Sequence, residues 1–307
     1  MQITIEEINK KRELLSKLEL KIHAKLNGFV HGDFMSLISG QGTELGETRK
    51  YQPGDDVRRI DWNVTARLSD THIRETRADR ELTTWLLVDN SPRVKFGTAK
   101  YSKSDLSLAA CASFGFLNSG SGNKLGALLI GGDNEEIIPP RGSRKHLQQI
   151  LLRVIETRAD DNTGETDIAD GIKTAVSLCK TRSILVIVSD FLVKSNWQAE
   201  LKSACMRHEV LAVQVCDRRD RELPNIGLAV LKDPATGKTV EVATHKQTVR
   251  DRFAEAATKR QTEIENTLRQ CGAHHMMLST ERDWIDDVYA FIDLRKKAGN
   301  TSRRRIS

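Results

Sequence analysis

The sequence predicts an α/β fold built on a doubly wound, mostly parallel sheet. Short apolar runs that suit strands buried on both faces alternate along the chain with segments of helical periodicity. Two of these runs end in aspartate, at Asp89 and at Asp190. Ligands of open α/β sheets bind at the carboxyl ends of the strands. We therefore expect these two strands to be neighbours, with both carboxylates at one crevice.

Composition favours a soluble protein of the cytoplasm. The chain has 307 residues, of which 38% are hydrophobic and 29% charged. No stretch approaches the apolar length of a membrane span, and the N-terminus has no apolar signal core. The five cysteines are odd in number and unclustered, which fits reduced thiols better than a disulfide framework.

The first 80 residues divide into a predicted helix and a segment of different composition. Residues 4–26 carry apolar side chains at helical spacing, which predicts a packing helix within an N-terminal unit 1–27. Residues 28–80 are rich in glycine, charge and short β-like runs. We predict that they form a β-rich unit packed on the sheet domain, with Tyr51, Ile60 and Trp62 as apolar anchors.

The sheet domain is predicted over residues 81–298, with a basic tail at 299–307. The strand ending at Asp89 opens it, and a hairpin at residues 228–231 and 239–242 interrupts it. The other predicted strands are 125–130, 135–138, 183–189, 210–215 and 274–278. The predicted helices are 102–117, 147–155, 167–179, 196–206, 249–269 and 284–296.

A charged stretch before the sheet domain has both a structural and a catalytic interpretation. It contains three arginines among several aspartates, and carboxylates beside guanidiniums are most simply ion-paired. Pro53 to Asp56 has the composition of a turn, and Asp61 suits the cap of a short helix starting near Trp62. A structural role is therefore favoured for Arg49, Tyr51, Gly54, Asp55, Asp56, Arg58, Asp61, Trp62 and Arg67.

The acidic strand end is the candidate site. Asp89 and Ser91 present carboxylate and hydroxyl oxygens, which hard divalent cations prefer, although a plain turn explains the same residues. Together with Thr166 and Asp190 they resemble the metal-ion-dependent adhesion site of von Willebrand factor A domains. That pattern has a second serine where this chain has Arg93. We expect Arg93 to turn inward and pair with Asp89 or Asp190, leaving a degenerate site that binds Mg²⁺ weakly or not at all.

Several motifs resemble one prokaryotic family, known as domain of unknown function fifty-eight and usually encoded beside MoxR-type AAA+ ATPases. These motifs are Gly40-x-Gly42-x-Glu44-Leu45, the run from Arg49 to Trp62, Thr65-Ala66-Arg67, and Asp89-x-Ser91 with Phe96-Gly97. The resemblance implies a von Willebrand A-like domain preceded by a β-rich segment. It implies no established reaction.

Two function classes follow. The first is a non-enzymatic protein-interaction module that works with a MoxR-type ATPase and its client protein in chaperone-like maturation or metal insertion. The second is a nucleic-acid-binding or nuclease-like protein that uses the basic tail, within a chain of net charge +6. Nucleic acid is the less favoured partner because no aromatic or glycine motif accompanies the basic residues.

Overall fold

The computed structural model describes residues 5–26, 48–52, 55, 57, 60–68, 70–74, 82–118, 123–131, 134–159, 167–193, 195–233 and 237–304. The helices are α1 (Ile5–Leu26), α2 (Trp62–Leu68), α3 (Lys103–Asn118), α4 (Arg144–Ala159), α5 (Ile168–Leu178), α6 (Trp197–Arg207), α7 (Gln247–Cys271) and α8 (Trp284–Arg304). The strands are β1 (Thr48–Lys50), β2 (His72–Arg74), β3 (Thr83–Asp89), β4 (Lys124–Gly131), β5 (Asn134–Arg141), β6 (Ile184–Ser189), β7 (Glu209–Cys216), β8 (Leu228–Lys232), β9 (Thr239–Ala243) and β10 (His274–Ser279).

Six strands form the main sheet, in the order β10-β7-β6-β3-β4-β5. All neighbours are parallel except β5, which pairs antiparallel with β4 as the second arm of a hairpin. The chain leaves β3 toward one edge of the sheet and leaves β6 toward the other edge. The doubly wound, mostly parallel fold class predicted from the sequence is thus confirmed, with its topological switch point between β3 and β6.

Helices cover both faces of the sheet because successive side chains of a strand point to opposite sides. Leu86 and Val88 of β3 belong to one apolar cluster, which is completed by α1, α3, α4 and α8. Trp85 and Leu87 belong to the other cluster, which is completed by α5, α6 and α7. Each of these four side chains is at most 3% exposed, as a strand buried on both faces requires.

Helix α1 is a packing helix, as predicted. Its residues Leu15, Ile22 and Leu26 are buried in the core beside α3 and α8. Two lysines on the same helix bind carboxylates at the start of α8. Lys21 Nζ lies 2.7 Å from Asp283, and Lys25 Nζ lies 2.6 Å from Asp286.

The described part of segment 28–80 contains a small antiparallel ladder. Strand β1 pairs with β2, and a bridge joins Ile60 to Ile73, which is 4% exposed. Asp61 caps α2 as predicted, since its carboxylate accepts a hydrogen bond from the Val64 N–H at 3.3 Å. The expectation that Trp62 anchors this unit is wrong. Its side chain is 71% exposed, because the first turn of α2 directs it away from the ladder.

Two further elements bear on function. Strands β8 and β9 pair only with each other, and both are largely exposed. Helix α8 continues to Arg304, so the described part of the predicted basic tail, residues 299–304, is helical. Within the part of the chain described, no helix has the length and apolar character that crossing a membrane requires.

Candidate functional site

Asp89 and Asp190 lie side by side at the carboxyl ends of β3 and β6. The two strands are in register from Thr84 opposite Ile184 to Val88 opposite Val188. The next two residues, Asp89 and Ser189, are therefore opposite each other, and Asp190 follows one residue later, at the switch point of the sheet. Both side chains are only 1% exposed. The predicted pairing of the two acidic strand ends is confirmed.

The Asp89 carboxylate is held by two hydrogen bonds. Its Oδ1 accepts from the Ser91 N–H at 2.9 Å, and its Oδ2 accepts from the Ser189 hydroxyl at 2.8 Å. Burial raises the pKa of Asp89, and the neighbouring charge of Asp190 raises it further. Close packing fixes the turn that follows, because a Cβ added at Gly131 of β4 would lie 2.8 Å from the Asn90 carbonyl carbon.

A buried lysine supplies the counter-charge for Asp190. Lys103, the first residue of α3, is 2% exposed, and its Nζ lies 3.2 Å from Asp190 Oδ2 and 2.8 Å from Asp220 Oδ1. The other oxygen of Asp190 accepts from the Leu192 N–H at 2.9 Å. Burial acts to lower the pKa of Lys103, but the two carboxylates outweigh it and raise that pKa. An internal ammonium thus bridges two acidic groups at the carboxyl edge.

The polar network continues from Asp220 to the end of the neighbouring strand. Asp220 Oδ2 accepts from the Asp217 N–H at 2.8 Å. The Asp217 carboxylate accepts hydrogen bonds from the N–H and the hydroxyl of Thr98, and from the Thr280 hydroxyl at 2.7 Å. Although burial opposes it, hydrogen bonds from Arg219 N–H, Thr280 and Thr98 lower the pKa of Asp217. The network therefore ties together the carboxyl ends of β6, β7 and β10.

A shallow cleft opens beside the lysine, between β7 and α7. It encloses about 290 Å³, including the solvent at its mouth, and Asp190 and Asp220 form part of its wall. Arg221 and Arg260 line it as well, and Arg260 Nη2 donates to the Asp220 carbonyl at 3.2 Å. Arg221 and Arg260 thus lie beside two carboxylates that already bind the ammonium of Lys103.

The inward pairing expected for Arg93 is wrong. No hydrogen bond or ion pair joins this arginine to Asp89 or Asp190, and its Nε and Nη2 atoms are buried without an acceptor in the described part of the chain. Lys103 fulfils the role that was predicted for Arg93, because α3 starts close enough to the crevice for the lysine side chain to reach Asp190. Two close carboxylates need a counter-charge. The sequence predicts that Arg93 provides it, whereas in the structure Lys103 does.

The oxygens present fit a divalent cation poorly. Both oxygens of Asp89 accept hydrogen bonds, and both oxygens of Asp190 are engaged. Ser91 is 1% exposed, and its Oγ has no hydrogen-bond partner among the described residues, so its lone pairs are open to a cation. Thr166 lies outside the described residues. Among those described, no group of three or more His, Cys, Asp and Glu side chains is arranged to hold a metal.

Sequence reasoning missed Lys103, Asp217 and Asp220. A lysine in the first turn of a helix is disfavoured by the helix dipole, and the remainder of α3 is almost entirely buried. That conflict was a usable signal that Lys103 has a buried acidic partner. Asp217 follows an apolar strand, as Asp89 and Asp190 do, so the same pattern predicts a site residue at this position.

Among the described residues of the charged stretch, Tyr51, Asp55 and Asp61 make hydrogen bonds that hold local structure. Asp55 closes a turn by accepting from the Gln52 N–H at 2.8 Å, and the half-buried Tyr51 donates its N–H to the Thr71 carbonyl at 2.8 Å. Arg49 lies on β1, and Arg67 lies exposed in the last turn of α2. Gly54, Asp56 and Arg58 lie outside the described residues.

The doubly wound sheet with acidic residues at its switch point agrees with the architecture that the family resemblance implies. The chain belongs to the family described as "protein of unknown function DUF58", which matches residues 47–263. It is 45% identical over 284 residues to an uncharacterized protein of Mycobacterium tuberculosis, across 92% of this chain and 89% of that relative. It is also 41% identical over 166 residues to an uncharacterized Mycobacterium avium protein, across 54% of this chain and 98% of that relative.

Two solved structures show more distant likeness. BatB from Bacteroides thetaiotaomicron has a TM-score of 0.45 at 11% identity, covering 70% of this chain and 99% of that one. The SpRpn10 VWA domain has a TM-score of 0.38 at 14% identity, covering 67% of this chain and 93% of that one. Both TM-scores lie below 0.5, so the order of the strands, and not these two structures, defines the fold.

Proposed function

We propose that the protein is a non-enzymatic interaction module that docks a protein partner at the carboxyl edge of its main sheet. The observation that carries this proposal is the exposed apolar hairpin β8–β9. Leu228 and Val230 share one face of the hairpin and are 65% and 69% exposed, Val240 lies on the other face opposite Leu231 and is 62% exposed, and Ile226 at the base is 65% exposed. Clustered exposed aliphatic side chains mark protein-binding surfaces more often than isolated ones do.

The hairpin stands at the same edge as the crevice. It lies between the carboxyl end of β7 and the start of α7, and α7 then runs to the amino end of β10. The base is held firmly, because Arg250 Nη1 donates to the carbonyls of Thr244 at 2.5 Å and His245 at 3.0 Å. An isolated two-stranded hairpin is only marginally stable in water. A partner that covers it would therefore add apolar burial next to the charged crevice.

The crevice itself is a degenerate adhesion site in this proposal. Lys103 binds Asp190, one of the expected metal ligands, and its fixed charge repels Mg²⁺. The residues that would hold a metal are Asp89, Ser91, Thr166 and Asp190. With one carboxylate already neutralised by the ammonium, we expect weak Mg²⁺ binding or none.

The family resemblance supports one class of partner for this proposal. It is a MoxR-type AAA+ ATPase, or the client on which that ATPase acts, in chaperone-like maturation or metal insertion. The work would take place in the cytoplasm, where the ATPase has access to ATP. The hairpin offers the apolar anchor of such a complex, and the arginine-lined cleft offers its polar part.

The test uses the purified MoxR-type ATPase encoded in the same genome, with binding measured by surface plasmon resonance in the presence of ATP. Leu228→Ser combined with Val230→Ser should weaken binding by at least about tenfold, since two exposed anchors are lost. Met206→Ser is the matched control, because Met206 is 74% exposed but lies at the amino edge, next to the start of β7. Equal binding by the hairpin variant and the unmodified protein would contradict the proposal.

A further inference from the structure

Two nitrogens of Arg93, Nε and Nη2, have no hydrogen-bond partner in the described part of the chain. Arg93 lies on the turn Pro92–Lys95 that follows β3, and its side chain is partly buried. Its Nε and Nη2 atoms are shielded from solvent, and no described residue accepts a hydrogen bond from them. A guanidinium is always charged, and buried donors left unpaired cost free energy. The carboxyl edge therefore contains a donor pair that the described part of the fold does not satisfy.

A second unsatisfied group lies on the same turn. Ser91 is 1% exposed, and its Oγ has no hydrogen-bond partner. The turn is rigid, since the Val94 N–H donates to the Ser91 carbonyl at 3.1 Å and Val94 is itself buried. A hydroxyl and a guanidinium two positions apart are both able to donate to an anion. The two unpaired arginine nitrogens, beside a serine hydroxyl that also acts to lower the pKa of Asp89 against the effect of burial, point to a ligand with acceptor oxygens.

We propose that Arg93 receives a carboxylate from an acidic segment of the docked protein, and so takes over the bridging role of a metal ion at an adhesion site. The inference rests on the proposed function for the existence of a protein partner. Arginine and a carboxylate form paired, charge-assisted hydrogen bonds. No hydrogen bond holds Nε or Nη2 in place. The guanidinium can therefore turn toward solvent without breaking a hydrogen bond.

The surroundings favour a carboxylate over a phosphate. Asp89 and Asp190 lie at the adjacent strand ends, and they repel a dianion more strongly than a monoanion. Arg221 and Arg260 beside the cleft add positive charge for further acidic residues of the same segment. Such complementary charge favours fast and specific docking of an acidic surface.

The probe is a fluorescein-labelled hexaglutamate peptide with an amidated C-terminus, measured by fluorescence anisotropy with the full chain and EDTA. At a salt concentration of about 50 mM, Arg93→Gln should weaken binding by at least about tenfold. Arg93→Lys should retain part of the affinity, because lysine keeps the charge but lacks the paired donor geometry. The melting temperature of Arg93→Gln should not fall, since the guanidinium makes no bond in the described structure.

The matched control is Arg182→Gln. Arg182 is an exposed arginine at the amino edge, paired with Glu209, and its loss should leave hexaglutamate binding unchanged. The inference is overturned if Arg93→Gln binds as the unmodified protein does, if Arg182→Gln weakens binding equally, or if EDTA abolishes binding. Arg93-dependent binding of hexaglutamate without any binding of the ATPase would reject the proposed function and uphold this inference.

Discussion

Lys103→Met should destabilise the protein strongly, because it breaks a buried ion pair while filling nearly the same volume. Lys103 is 2% exposed and Asp190 is 1% exposed, so removal of the ammonium leaves Asp190 charged and shielded from water. Breaking a buried pair in this way costs about 3–5 kcal/mol. A domain of about 200 residues loses about 2–4 °C in melting temperature for each kcal/mol, which gives a fall of about 6–20 °C.

The assay is thermal unfolding followed by circular dichroism at neutral pH. Lys21→Met is the matched control. Its ion pair with Asp283 is shorter, at 2.7 Å, but the two side chains are 37% and 30% exposed, so its loss should cost at most about 1 kcal/mol. Adding Asp190→Asn to Lys103→Met should recover part of the stability, because the uncompensated charge is then gone.

Magnesium provides the second arm of the same experiment. Without the ammonium, the oxygens of Asp190 become available beside Ser91 Oγ, so Mg²⁺ should raise the melting temperature of Lys103→Met and not that of the unmodified protein. A ligand at ten times its dissociation constant stabilises by about 1.4 kcal/mol. The reasoning is refuted if Lys103→Met melts like the unmodified protein, or if Mg²⁺ stabilises both to the same extent.

Two further predictions concern the turn after β3. The pKa of Asp89 is raised above 3.8, so the native state binds this proton more tightly than the unfolded state, and stability falls as the pH rises through the folded pKa. Asp89→Asn should therefore be more stable than the unmodified protein at pH 7, with a difference that shrinks toward pH 3.8 in urea unfolding; a difference independent of pH would contradict this. Gly131→Ala should cost about 1–3 kcal/mol, because its Cβ would meet the Asn90 carbonyl carbon at 2.8 Å. Gly142→Ala is its control, with a nearest atom at 3.4 Å, and equal costs in the two variants would argue against a close approach at Gly131.

The main sheet could be predicted because its signals are local. Trp85 to Val88 and Ile184 to Val188 are apolar runs of the length that a doubly buried strand requires, and each ends in aspartate. The order of the strands follows from alternation with helices, together with the hairpin of β4 and β5. Neighbouring strand ends then bring Asp89 and Asp190 together without any long-range information.

The counter-charge could not be predicted from Asp89 and its neighbours alone. Arg93 is close in sequence, but its Nε and Nη2 atoms make no hydrogen bond to either carboxylate in the described part of the chain. Lys103 is 87 residues from Asp190 in sequence, and only the packing of α3 across the sheet brings its Nζ within 3.2 Å. Which cation reaches a buried carboxylate depends on tertiary geometry, which the spacing of residues does not encode.

Trp62 illustrates the same limit for packing. A tryptophan in a segment with few large apolar residues suggests an anchor, yet it is 71% exposed on α2. The side of a short helix that faces the protein depends on how the helix docks. Seven residues of α2 give too little periodicity to decide this from sequence.

The central claim is that the ammonium of Lys103 replaces a metal ion at the carboxyl edge. Isothermal titration calorimetry of the full chain with Mg²⁺ and with Mn²⁺, repeated on Lys103→Met, tests it most directly. The account predicts no binding to the unmodified protein tighter than about 1 mM, and measurable binding to Lys103→Met. A dissociation constant in the micromolar range for the unmodified protein would contradict it.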